Sequence, residues 1–290
     1  MKASKNIRMA MAAIVRVVLL GTLLIGHAHA EQCPLISSRV SIAEINLVSK
    51  LLKDGKFSEV DAMLVKLHQT NLISEGSDLL TLLGIEKLMS LNEVEDSLVR
   101  RWVDERPLSF FAQLSAGVFF SAQAAKARGN KFSSETDASQ FKKMSEFHRV
   151  AIGHLFNAIR FGAGSALPHS VFMVIAAREG KAAGKTPTQW LLAAIQADPK
   201  TLATRVRATA SLTPRWGGTF EFLDQMVQES EGSLPAQSVY FLRYSVVMQK
   251  ASHEEVITKN KPLALDLYKE AQSMCENSTE ARHGIERTSR

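Results

Sequence analysis

Two cysteines, eight prolines and sixteen glycines are few for a chain of 290 residues. The prolines and most of the glycines fall between stretches of helical period rather than inside them, which favours an all-helical architecture. Two cysteines cannot make a disulfide framework. Several catalytic signatures are missing as well. There is no Gly-x-Ser-x-Gly elbow, no phosphate loop, no dinucleotide fingerprint and no His-Glu-x-x-His. His148 and His154 stand six apart, so on a helix they point to different faces and suggest no metal site. No Lys/Arg run is interleaved with aromatics, which argues against nucleic acid as a partner. No cofactor is expected.

The N-terminus carries the one long apolar run. Lys2, Lys5 and Arg8 form a basic head, Met9 to Ile25 is apolar apart from Arg16 and Thr22, and Ala28-His29-Ala30 follows. This is the pattern of a cleaved Sec-type signal peptide, 1–30, with cleavage after Ala30. The expected product is a periplasmic or secreted protein with no stable membrane anchor. Losing Lys2, Lys5, Arg8 and Arg16 removes four positive charges, so the formal +6 becomes +2. The basic balance therefore belongs mainly to the export signal.

Residues 31–290 read as a single helical domain. Ile42, Ile45, Val48, Leu51 and Leu52 mark a first helix that ends at Asp54-Gly55, and Phe57, Val60, Leu64 and Leu67 mark a second. Further helices are expected at 77–91, 93–105, 109–128, 140–161, 167–179 and 235–250, with a last long one opening at Lys261-Pro262. The polar segment 131–139 reads as a mobile loop, and the tail beyond Arg282 as fraying. His253-Glu254-Glu255 reads as a solvated helix end, and Phe119-Phe120 and Phe172-Met173 as core. No strict repeat period is present, so the expected fold is an irregular α-solenoid of antiparallel, tetratricopeptide-like hairpins.

The most specified corner is Leu212-Thr213-Pro214-Arg215-Trp216-Gly217-Gly218. Thr186-Pro187 and Asp198-Pro199 read as helix starts before it, and Thr219 to Val227 leaves as another helix. The residues Trp102, Pro107 and Ser109, then Ala125-Lys126-Ala127-Arg128-Gly129, then this corner resemble a bacterial family catalogued as domain of unknown function 4034. The resemblance covers roughly 51–230, with further helices at 234–287. It implies a tetratricopeptide-like helical fold and no particular activity.

Two functions are compatible with these features. One is a non-enzymatic scaffold binding a protein or peptide in the cell envelope. The other is an envelope hydrolase with its site near Arg215, Glu221 and Arg128. The corner itself admits two roles. Trp216 could wedge into a junction of three helices while Arg215 holds a carboxylate or helix-end carbonyls. Alternatively, both could face a ligand as interface anchors, with Arg128, Pro214, Gly217 and Gly218 shaping the surface.

An even cysteine count in an oxidising compartment suggests a bond between Cys33 and Cys275. Intact mass spectrometry of exported protein is expected to show a chain beginning at Glu31 that takes up alkylating reagent only after reduction. A chain that retains Met1, or one that is alkylated without reduction, would refute the corresponding expectation.

Overall fold

The computed structural model describes residues 41–74 and 77–290, so the expected signal segment and Cys33 lie outside the described residues. The protein is all-α, an irregular solenoid of antiparallel helical hairpins, with no strand among the described residues. The helices are α1 (Ile42–Lys53), α2 (Phe57–Ser74), α3 (Leu79–Met89), α4 (Asp96–Glu105), α5 (Phe110–Arg128), α6 (Ala138–Phe161) and α7 (Leu167–Glu179). Then follow α8 (Pro187–Ala197), α9 (Leu202–Ser211), α10 (Phe220–Ser230), α11 (Ala236–His253), α12 (Lys261–Met274) and α13 (Thr279–Thr288). None of them is long and apolar enough to cross a membrane.

Local chemistry sets most of the starts. Ser41, Ser109, Thr186 and Thr219 each accept the backbone N–H three residues on, satisfying one free amide of the first turn. Gln189 completes a capping box with Thr186, and Pro187 occupies a position that needs no donor. The start expected at Asp198-Pro199 is displaced. Asp198 accepts Lys200 N–H at 2.9 Å and caps only a turn, and α9 begins at Leu202.

One continuous core runs from α1 to α11. Phe119, Phe120, Phe172 and Met173 are all buried in it. Phe172 stacks on Trp190 at 4.1 Å between ring centroids, and Trp190 Nε1–H donates to Ala182 O. That geometry buries a large ring while satisfying its only donor. Smaller apolar clusters around Tyr244, Tyr268 and Cys275 join α11, α12 and α13. Cys275 is buried among them.

The tail does not fray, contrary to the sequence expectation. Ser278 caps α13, and Ala281, Gly284 and Thr288 are buried. Gly284 lies so close to the Tyr268 ring that a Cβ there would sit 2.4 Å from it. Polar composition hid a helix whose small residues let it seat against an aromatic.

Two buried carboxylates hold separate parts of the chain together. Asp61 accepts Trp102 Nε1–H at 3.1 Å, Arg106 Nε–H at 2.9 Å and Ser109 Oγ–H at 2.7 Å, joining α2 to the α4–α5 corner. Asp78 accepts Leu202 and Ala203 N–H at 3.0 and 2.9 Å and Thr201 Oγ–H at 2.7 Å. It therefore supplies α9 with an N-terminal cap from the other side of the fold. Burial pushes its carboxyl up, opposed by those donors.

Asp78→Ala is expected to cost about 2–4 kcal/mol, since it strands two buried amides and a hydroxyl. Asp78→Asn, which keeps one acceptor oxygen, is expected to cost less. Chemical denaturation checks both, and an unchanged midpoint for the alanine variant would refute the capping role.

Candidate partner-binding corner

The 212–218 corner is built by backbone. Thr213 O accepts Trp216 N–H at 2.9 Å and Gly218 N–H at 3.1 Å, closing a single tight turn at Pro214–Trp216. Gly217 is left-handed at φ 82°, which suits a residue without Cβ. A Cβ at Gly218 would fall 1.9 Å from Leu212 O, so only glycine fits there.

This reversal pushes the next side chains outward. Arg215 is exposed and Trp216 half-buried, so the indole is not fully enclosed at the helix junction. Nor does Arg215 hold a carboxylate or helix-end carbonyls. Its guanidinium lies 5.4 Å from the Trp216 ring centroid and 5.5 Å from that of Phe132. Cation–π attraction takes the place of the expected ion pair.

Phe132 was missed because it is one aromatic inside a polar run. Arg128 explains its position. Arg128 Nη1–H donates to Gly129 O at 3.1 Å and to Lys131 O at 2.8 Å, fixing the turn that delivers Phe132 to the corner. A short 3₁₀ turn at Ser133–Glu135 follows, so the segment has structure of its own.

Beside Trp216 lies a cavity of about 240 Å³, lined also by Gln249, Ser252, His253, Val256 and Ile257. Its far wall is unusual, because α11 ends in a π-helical segment, Glu254–Thr258, with Lys259 left-handed at φ 60°. Such segments often sit at functional sites. His253-Glu254-Glu255 is therefore not simply a solvated end. Glu255 accepts Tyr268 Oη–H at 2.7 Å and two bonds from Arg287, at 2.8 and 2.9 Å. The Arg287 bonds, helped by Tyr268 and opposed by burial, hold the Glu255 carboxyl down at about 2. Burial and the same carboxylate push Tyr268 up to about 12.

Glu221 is exposed, and no hydrogen bond or ion pair joins it to Arg128 or Arg215 among the described residues. Nor do three His, Cys, Asp or Glu side chains among them converge as metal ligands. His148 Nδ1 pairs with Glu179 at 2.7 Å and His154 Nδ1 with Gln113 at 2.9 Å, on different faces of α6.

Residues 44–167 match the family described as domain of unknown function (DUF4034). This segment is similar to a DUF4034 domain. It spans α1 to α6 and contains Asp61 with its three donors, as well as Arg128. The DUF4034 match ends before the Arg215–Trp216 corner, so the corner lies on the helices that follow the domain. No curated protein and no solved structure matches the chain.

The Glu255–Arg287 pair sets a pH dependence. Its carboxyl is lowered from 4.5 to about 2 on folding, so its stabilisation is complete above about 4.5 and vanishes as pH falls through about 2. Thermal unfolding of Glu255→Gln should fall below wild type at neutral pH and converge with it near pH 2. A gap independent of pH would refute the pairing.

Proposed function

We propose that the protein is an exported, non-enzymatic helical scaffold that grips a protein or peptide partner in the cell envelope at the Phe132–Arg215–Trp216 corner. One observation carries this reading. Arg215 is held between two aromatic rings at the surface with no carboxylate partner among the described residues. Arg and Trp are the side chains that most often anchor interfaces, and the rings restrict the guanidinium before a partner arrives. Phe132 is 47% exposed, and Val256 and Ile257 are 37% and 39% exposed, so apolar surface surrounds the cation. Export rests on the basic, apolar and small-residue order of the first thirty residues.

Trp216→Ala and Arg215→Ala are expected to fold with wild-type melting temperatures. Each is expected to weaken a partner captured from envelope extract by about 2 kcal/mol or more, roughly thirtyfold. Unchanged affinity in both variants would overturn the proposal. So would a loss of about 3–5 kcal/mol of stability in Trp216→Ala, the signature of a buried structural ring.

A further inference from the structure

A second cavity, of about 300 Å³, lies between α3, α5, α7 and α9. Leu82, Val118, Val171 and Val174 give it apolar walls, and Ser121, Arg178, Arg207 and Glu86 bring polar groups into it. Arg207 and Glu86 form an ion pair with each other, so that charge is already balanced. Arg178 is different. Its guanidinium has no hydrogen bond, ion pair or ring contact among the described residues, and the Ser121 hydroxyl likewise has no hydrogen-bond partner among them. Burial, with a smaller contribution from neighbouring Arg128, pushes the Arg178 guanidinium down. Keeping an unpaired cation in such a place is costly, and an anion arriving there would relieve the cost.

We propose that this cavity binds a small monocarboxylate with a short aliphatic body, its carboxylate on Arg178 and Ser121 and its chain against Leu82, Val118, Val171 and Val174. The guanidinium fork matches a carboxylate in two parallel hydrogen bonds. A phosphate dianion would call for a second free cation, and Arg207 is committed to Glu86. The volume sits at the lower end of the roughly 300–1,000 Å³ of small-molecule sites, enough for one small acid or one C-terminal residue of a peptide. Either source presents the same group. The site is distinct from the Arg215–Trp216 corner, and the two stand or fall separately.

Calorimetric titration of the full mature chain with isocaproate, acetylglycylleucine and acetylglycylleucinamide tests the proposal. Saturable binding of an acid, and not of the amide, is expected. Tighter binding of isocaproate would point to a free acid as the source, and tighter binding of acetylglycylleucine to a peptide terminus. Arg178→Met is expected to weaken acid binding at least about tenfold, since a charge-assisted bond is lost. Val174→Phe fills the cavity from its wall and is expected to abolish binding, so it decides the matter if Arg178→Met does not fold. Trp216→Ala is expected to bind the acids as wild type does. The proposal is overturned if no probe binds below about 10 mM, a level at which the interaction is negligible. It is also overturned if the amide binds as well as the acids, or if both cavity variants bind as wild type does.

Discussion

The carboxylate of Asp78 is the constraint on which the arrangement of the two halves depends. It accepts two backbone amides and a hydroxyl at the start of a helix more than 120 residues further along the chain. A helix terminus leaves its first amides without partners, and burying such an end is tolerable only if something accepts them. Thr201 satisfies Thr204 N–H and Asp78 satisfies the two before it. Arg205 then closes the junction, donating to Thr201 O and to Ser233 Oγ. The DUF4034 segment and the helices after it are thus locked by hydrogen bonds as well as by shared apolar core.

Asp61 plays the equivalent part inside the DUF4034 segment, and it gives physical meaning to Trp102 and Ser109. These residues are spaced so that an indole and a hydroxyl reach one carboxylate, with Arg106 between them supplying the charge. A buried acid with three donors is well satisfied and gives a single geometry to the α4–α5 corner. Arg215 and Arg178, whose guanidinium groups make no hydrogen bond or ion pair among the described residues, lie elsewhere. One is at the surface between rings and the other faces a cavity. The contrast separates groups whose hydrogen bonds hold the fold from groups that make none.

Much of this was legible in the residues. Helical period and the Ser and Thr caps located nearly every helix, because those signals are local. What escaped depends on distant neighbours. Asp198-Pro199 carries a start signal, yet α9 begins later because its amides are claimed from Asp78. The last helix looked like a frayed tail because its seat on Tyr268 is not visible in its own composition. Phe132 looked like one apolar residue in a loop until Arg128 folded that loop onto the corner. Arg178 sits in the last turn of α7, where a cation suits the helix C-terminus and nothing in the sequence sets it apart. What marks it out is that its guanidinium has no hydrogen bond or ion pair among the described residues.

The corner at 212–218 divides its work in an unusual way. Its path is fixed by Thr213 O, by the left-handed Gly217 and by the space that only a glycine leaves beside Leu212. None of those determinants involves the side chains of Arg215 or Trp216. The two positions are therefore mounts on a finished platform. A different pair of side chains could be set there without rebuilding the turn beneath. On the proposed reading, partner choice at this surface would be retuned by exchange at those two positions alone, while the turn keeps its shape.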